Sequence, residues 1–355
     1  VLRRRTPQPT FASRLLRWFD ANKRDLPWRR TRDPWAIWVS EVMLQQTRVE
    51  AVREPYARFL HRFATPAAFA AASDDELLVA WRGLGYYRRA RLLREGARQV
   101  VREHCGEVPR GSASLAALPG IGAYTLGAVG SIAFGHAEVA VDGNVERVVA
   151  RHRGVRDAMH RAPARRAVRA VAREWLDEAR PGDFNQALME LGAVVCTPSS
   201  PRCDACPVAA DCFARAHALV AELPARAPVR ATVEVEARAV LVSGRAGVLG
   251  HRIAAGEPNA GQVELPGPGV LASCDADDLA AALRASFGAR LEPGPVLATV
   301  RHAITHHRIV LRVHAAAGRT FGSLQWFAIG DDVPWTTPAR KAFRQALGGA
   351  SALRA

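Results

Sequence analysis

Residues 118–125 read "LPGIGAYT", two glycines two positions apart in a short apolar turn. Without a Cβ, glycine reaches backbone conformations closed to other residues and lets main-chain amides approach a ligand closely. A helix beginning near Ala123 would aim its unpaired N–H groups at the same place, which suits a phosphate. Many helix–helix connections use glycine, so "PGIG" alone is a weak signal. Its weight comes from the sequence around it.

That surrounding sequence is helical. From about residue 8 to 222, stretches with helical spacing follow one another with short breaks. "DPWAIWVSEVMLQQTRVEAV" reads as helix with an Asp33 cap and Pro34 in the first turn, and "SDDELLVAWRGLG" opens on a Ser73 cap and stops at glycine. "YYRRARLLREGARQVVREH", "YTLGAVGSIAFG", "NVERVVARHRG", "APARRAVRAVAREWLDEA" and "DFNQALMELGAVVC" continue the pattern, so this half is expected to be an all-α domain. Its glycine turn is then the hairpin of a helix-hairpin-helix DNA-binding element over about residues 110–130.

The character changes at "AELPARAPVRATVEVEARAVLV". Residues 223–231 read as a linker, and Thr232 to Val242 alternates as a strand does. "ATVRHAITHHRIVLRVHAA" supplies two further strands and "SLQWFAI" another, while "DADDLAAALRASFG" and "TPARKAFRQALGG" are capped helices. A second, smaller α+β domain over residues 232–350 follows, which suits a chain of 355 residues with 49% hydrophobic content. No internal repeat is visible, and the extreme termini are expected to be disordered.

The net charge of +15 points to a polyanionic partner, because clustered cations displace counterions condensed along phosphates. On charge alone a membrane surface, RNA and mere coding bias toward arginine stay open. Only Lys23 and Lys341 are lysines, so the positive charge is almost all arginine. There is no apolar start resembling a signal peptide and no run of about 18 apolar residues to cross a bilayer. The expected compartment is the cytoplasm, associated with the nucleoid if the source is bacterial, where structural disulfides are rare.

Four of the six cysteines stand within "CTPSSPRCDACPVAADC", residues 196–212, as Cys196, Cys203, Cys206 and Cys212. The spacing C-x6-C-x2-C-x5-C has a single C-x2-C hook where zinc sites usually have two, which favours an iron–sulfur cluster over zinc without deciding between them. Two carboxylates also stand out. Asp142 ends an apolar run and begins the helix "NVERVVAR"; it is either an ordinary N-cap or an ionised partner for a cation. Glu41 lies among Trp35, Ile37, Trp38, Val39, Val42, Met43 and Leu44 on a helix apolar nearly all round. A carboxyl buried there would have a raised pKa and could act as a general acid, or it could be a structural glutamate bonded to backbone or arginine.

Taken together, "LPGIGAYT", "VDGNVERV" and the four-cysteine array resemble the endonuclease III superfamily of DNA glycosylases, and "SEVMLQQTRVE", "GLGYYRRAR" and "FNQALMELGAVVCTP" resemble its MutY-type branch. The likeness spans essentially the whole helical half. It implies that the cysteines ligate a 4Fe-4S cluster shaping a DNA-contacting loop. Tyr124 stands where lyase members carry a nucleophilic lysine, which implies hydrolysis without strand cleavage. The resemblance further implies base flipping, with Glu41 protonating adenine at N7 and Asp142 stabilising an oxocarbenium ion, oriented by Tyr124 and aided by Asn144. Glu190 and Arg24 enter as supporting residues, Gly120 and Gly122 as the hairpin, Gln46 and Tyr86 as wedges filling the gap left by the flipped base, and Thr47 and Leu84 as contacts to the opposing purine.

The second domain resembles the Nudix-like domain that MutY proteins use to read 8-oxoguanine, through "GQVELPGPGV" and "LQWFAIGDDVPWTTPARKAF". The REx2EE-like acid run of the hydrolases is absent, with "DDLAAALRASFGARL" in its place, so catalysis there is not expected. The lesion-reading Phe-Ser-His of the family corresponds to Ile304, Thr305 and His306. The implied substrate is duplex DNA with adenine opposite 8-oxoguanine or guanine, handled by a monomer with no membrane partner. Two alternatives remain: a T:G mismatch glycosylase, which lacks a residue like Glu41 and the "LQQT" run, and a non-catalytic lesion sensor with a purely structural cluster.

Overall fold

The computed structural model describes residues 10–225 and 230–348. The termini beyond those limits, and residues 226–229 of the expected linker, lie outside the described residues. By its internal contacts the chain divides into two compact units, Val1–Ala71 with Arg91–Pro228, and Ala72–Ala90 with Val229–Ala355. The second unit thus includes a segment from within the helical half.

The helices are α1 (Phe11–Asn22), α2 (Pro34–Leu44), α3 (Val49–Arg62), α4 (Pro66–Ala70), α5 (Asp74–Ala80), α6 (Arg88–Glu103), α7 (Ser112–Ala116), α8 (Ala123–Phe134), α9 (Gly143–Arg153), α10 (Ala162–Trp175), α11 (Pro181–Val194) and α12 (Phe213–Ala216), of which α5 and the start of α6 belong to the second unit. Asp33 caps α2 by accepting the N–H groups of Trp35 and Ala36, and Pro34 fits the first turn, where no N–H is needed. Every residue of α2 from Trp35 to Met43 is buried, so this helix runs through the interior. α10 buries only Ala164, Val168, Ala172 and Trp175, the single face its spacing dictates. The stretch "DPWAIWVSEVMLQQTRVEAV" is not one continuous helix. It breaks after Leu44, where Gln46 adopts φ +60°, and resumes at Val49.

One core of this unit joins Leu15, Leu16 and Phe19 of α1 to Val145, Val148 and Val149 of α9, Val168 of α10, and Phe184, Leu188 and Leu191 of α11, with Cys196 and Cys206 packed on its edge. Truncating one such side chain to alanine costs about 2–5 kcal/mol. The α9–α11 contact depends on Gly192, where a Cβ would meet Asn144 Cβ at 2.6 Å and its carbonyl oxygen at 2.9 Å.

The second unit adds β1 (Val233–Leu241), β2 (Ser243–Gly244), β3 (Gly247–Arg252), β4 (Val263–Glu264), α13 (Leu279–Phe287), β5 (Arg290–Ile304), β6 (His307–Thr320), β7 (Gln325–Phe327) and α14 (Thr337–Ala346). In one sheet β6 lies between β1, parallel to it, and β5, antiparallel; in the other β3 pairs antiparallel with β2, β4 and β7. Alternate residues of β1 enter two cores. Val235, Ala237 and Ala239 pack with Ala339, Ala342 and Phe343 of α14, while Val240 packs with Leu279 and Leu283 of α13. This is the α+β arrangement that the alternation from Thr232 implies, with a helix against each face. The short strands β2 to β4 have no counterpart in the sequence reading, since two to six residues are too few to show a period. Among the described residues, no helix is long and apolar enough to cross a membrane.

Candidate active site

Three helix segments of the first unit bring carboxylates inward. α2 carries Glu41, which is 5% exposed. α8 starts after the glycine hairpin, where Gly120 takes φ +82° and lets Ile121 N–H bond back to the Leu118 carbonyl. Gly122 caps α8 with no side-chain acceptor, so the first amides of the helix have no side-chain cap. One residue into that helix Tyr124 turns inward, its Oη donating to Glu41 Oε2 at 2.5 Å and lying 3.4 Å from Met189 Sδ on α11. Burial pushes the Glu41 carboxyl up to about 7; the Tyr124 bond and Arg29 oppose this, and the nearby Asp142 adds to it. The proton on Glu41 is therefore retained to near neutral pH.

Asp142 is the N-cap of α9. Its Oδ1 accepts from Val145 N–H at 2.8 Å and its Oδ2 from Asn144 Nδ2 at 2.7 Å. Burial raises its carboxyl above the ordinary range, against these bonds and the Arg147 charge. The helix start thus does not fully offset desolvation, contrary to the simplest expectation for a capping aspartate. The resemblance implies that Tyr124 lies beside Asp142 and orients it; the Tyr124 hydroxyl donates to Glu41, and the Asn144 amide donates to Asp142. Asn144 Oδ1 in turn accepts from Arg147 Nη2 at 2.9 Å, and Arg147 also donates to the carbonyls of Gly192, 2.8 Å, and Cys196, 2.7 Å.

Glu190, 1% exposed on α11, is bonded by Arg24 through Nε at 2.9 Å, Nη2 at 2.8 Å and its backbone N–H at 3.0 Å, and by Arg29 Nη2 at 2.9 Å. Burial alone would raise its pKa, but the two guanidiniums outweigh it and hold the carboxyl at about 2. Arg24 and Glu190 are thus each other's partners.

The hairpin, Gln46 and Thr47 belong to this unit. Gln46 is exposed at the α2–α3 break in its left-handed conformation, while Gln45 Nε2 reaches Thr125 Oγ1 at 3.3 Å. Leu84 and Tyr86 lie in the second unit. Tyr86 is 53% exposed with φ +46°; Leu84, expected to touch a purine, is 4% exposed and forms part of the core. Ile304, Thr305 and His306 form the tip of the β5–β6 hairpin, with Thr305 at φ +52°.

Cys196, Cys203, Cys206 and Cys212 line one recess together with Arg151, Arg202 and Arg215. Burial, helped by the three neighbouring thiols, pushes Cys206 up to about 11, and the Val208 N–H opposes it. Burial also raises the Cys212 thiol, against the backbone N–H groups of Arg215 and Ala214, and Arg151 Nη1 lies 3.4 Å from Cys196 Sγ. Burial and crowding favour the protonated thiols, and the positive charge of bound iron is what would hold them as thiolates. Arg151, 3% exposed, further ties this loop to the Thr197, Pro198 and Leu223 carbonyls.

Arg29, Arg147, Arg151 and Met189 were missed from sequence. Arg147 and Arg151 left a trace, two arginines four apart on the helix that follows Asp142; nothing in "DLPWRRT" points to Glu190.

Residues 39–177 match the HhH-GPD superfamily of base excision DNA repair proteins, and residues 196–212 match the iron–sulfur binding domain of endonuclease III. The chain is similar to an adenine DNA glycosylase of Homo sapiens, 46% identical over 235 residues that make up 64% of this chain and 43% of that protein. It therefore matches under half the length of that relative. An adenine DNA glycosylase of Mycobacterium tuberculosis (strain CDC 1551 / Oshkosh) is 42% identical over 212 residues, 57% of this chain and 67% of that one. Among solved structures, a thermostable thymine-DNA glycosylase aligns with TM-score 0.53 and 30% identity, covering 58% of this chain and 95% of that one. The four thiols hold a 4Fe-4S cluster. With the glycine hairpin, the capping aspartate, the buried glutamate and the cysteine loop on the one helical scaffold, the chain belongs to the MutY-type family of helix-hairpin-helix DNA glycosylases.

Proposed function

We propose that this chain is a monofunctional adenine DNA glycosylase of base excision repair, hydrolysing the N-glycosidic bond of adenine opposed to 8-oxoguanine or guanine. The observation that carries this reading is Glu41, a fully buried carboxyl whose hydrogen-bond donor is the phenol of Tyr124 and whose proton persists to about pH 7. Adenine leaves poorly as an anion and readily as a neutral base, so a carboxylic acid that is still protonated near neutrality supplies what the bond needs. The base must first be rotated out of the duplex to reach such a buried group. Glu41 then gives its proton to N7, and the sugar becomes an oxocarbenium ion. Asp142, ionised and held by Asn144 and the Val145 N–H, faces that cation before water adds.

The place of a lyase lysine is held by Tyr124. The only two lysines, Lys23 at the C-cap of α1 and Lys341, whose amine donates to the Arg301 carbonyl, lie outside the LPGIGAYT motif. The cluster bound by the cysteines gives the loop its shape and its positive face toward DNA. Gln46 and Tyr86 serve as wedges, exposed planar side chains of the kind that replace a lost stacking partner. The α+β unit reads the opposing purine through Thr305 and His306.

The test uses duplexes containing A:8-oxoguanine, A:G and T:G pairs, scored for base release before and after alkali. Adenine loss with strand breaks appearing only after alkali is the expected result. Thymine release, or binding without release from any duplex, would overturn the reading.

A further inference from the structure

Within the second unit, the segment that displays Tyr86 is bonded to residues after Val229 by Arg82 among other side chains. Arg82, directly after α5, donates from Nη1 to Asp331 Oδ1 at 3.0 Å and from Nη2 to the Asp331 and Val333 carbonyls at 2.8 and 3.0 Å. Arg340 on α14 bonds the same Asp331 oxygen at 2.7 Å. At the other end of α5, Asp75 receives both Nη groups of Arg252 from β3 at 2.7 Å each. The helix is thus pinned to the rest of that unit at both ends.

Beyond Arg82 the chain turns sharply. Gly83, Gly85 and Tyr86 all take positive φ, +87°, +65° and +46°, a conformation tyrosine rarely adopts. Trp81 Nε1 bonds the Gly85 carbonyl at 3.1 Å, and Arg89 bonds the Leu84 carbonyl at 3.0 Å while its guanidinium lies 5.5 Å from the Tyr86 ring. A left-handed tyrosine persists only when the surroundings over-determine it. An ordinary exposed ion pair contributes little, but two of the three Arg82 bonds go to main-chain carbonyls, and its guanidinium is only 20% exposed.

We infer that Arg82 is a positioning residue: with the Asp331–Val333 turn it forms a latch that fixes the Tyr86 loop to the rest of its unit, making insertion of Tyr86 into DNA depend on that turn. The inference rests on the reading of Tyr86 as a wedge. It assigns the Asp331–Val333 turn a part in specificity without any contact to a base.

The test is a double-mutant cycle in the full chain, reading the dissociation constant for an A:8-oxoguanine duplex and the single-turnover rate at saturating enzyme. Absorbance near 400 nm and thermal melting check that each variant is folded. Tyr86→Ala should weaken binding about tenfold, the worth of one aromatic stack. Arg82→Ala should weaken it several-fold, and the double variant should be no weaker than Tyr86→Ala. Asp331→Ala removes only the side-chain limb of the latch and should give a smaller loss, likewise absent in the Tyr86→Ala background; it replaces Arg82→Ala if that variant does not fold. Losses that multiply in the double variant, or a latch variant that is silent while Tyr86→Ala is not, overturn the inference alone. A silent Tyr86→Ala overturns the wedge reading and the inference with it.

Discussion

Glu41 on α2 and Glu190 on α11 are both almost fully buried in the same unit, yet one is held up at about 7 and the other down at about 2. Burial pushes both upward. The difference lies in the donors: Glu41 receives a neutral phenol, Glu190 two guanidiniums and a backbone amide. The first is a proton reservoir and the second a permanent anion that joins the segment after α1 to α11. A glutamate in an apolar helix acquires its role from the residues brought to it, and those come from distant parts of the chain.

The largest expected effect breaks the comparison at Glu41. Glu41→Gln keeps an acceptor for Tyr124 and removes the acidic proton, so single-turnover adenine excision should fall by about 10²–10⁴-fold while duplex affinity is retained. A rate unchanged by this substitution would remove Glu41 from the mechanism. Glu190→Gln breaks the other arm. It leaves Arg24 and Arg29 without their counter-charge, and chemical denaturation should show a loss of about 3–5 kcal/mol. Because the folded pKa is depressed, the stability Glu190 contributes is present above its unfolded value near 4.5 and is lost as pH falls toward about 2; the wild-type melting temperature should drop over that window, and that of Glu190→Gln should drop less.

A smaller effect is expected where α11 meets α9. Gly192→Ala places a methyl against Asn144, costing about 1–3 kcal/mol by overpacking and slowing excision by displacing the residue that holds Asp142. Tyr124→Phe sharpens the comparison without destroying it. The phenol bond lowers the Glu41 pKa, so its loss should move the alkaline fall of the excision rate to higher pH; a shift toward lower pH would contradict the assigned direction.

The second unit supplies a control. Glu264 on β4 is also pushed up to about 7 by burial, and its Oε1 has no hydrogen-bond partner among the described residues. Its raised pKa means that stability is fully present below about 4.5 and lost as pH rises through about 7, so Glu264→Gln should flatten the melting profile over that range. A raised pKa alone does not mark catalysis; the paired Tyr124 and the neighbouring Asp142 distinguish Glu41.

Much of this was legible in sequence. The helical half, the strand at Val233–Leu241, the capped α5 and α14, the burial of Glu41 and the four-thiol loop follow from periodicity, caps and spacing. The MutY-type likeness was carried by short motifs that hold their place on the fold. What was hidden falls into two kinds. Backbone breaks such as Gln46 at φ +60° interrupt an apolar run without glycine or proline to announce them. Long-range pairings, Arg29 with Glu190, Arg147 with the Cys196 carbonyl and Arg82 with Asp331, join residues 161, 49 and 249 positions apart, and in a chain with so many arginines no single one signals its partner. Tyr124, which the resemblance sets beside Asp142, donates its hydroxyl to Glu41 on α2.

Glu41 stays protonated at a pH where solvent-exposed carboxyls are ionised. Infrared difference titration of the free protein against Glu41→Gln isolates its carboxyl stretch. Half-protonation at about pH 7 is expected. A carboxyl fully ionised at pH 6 would contradict the claim.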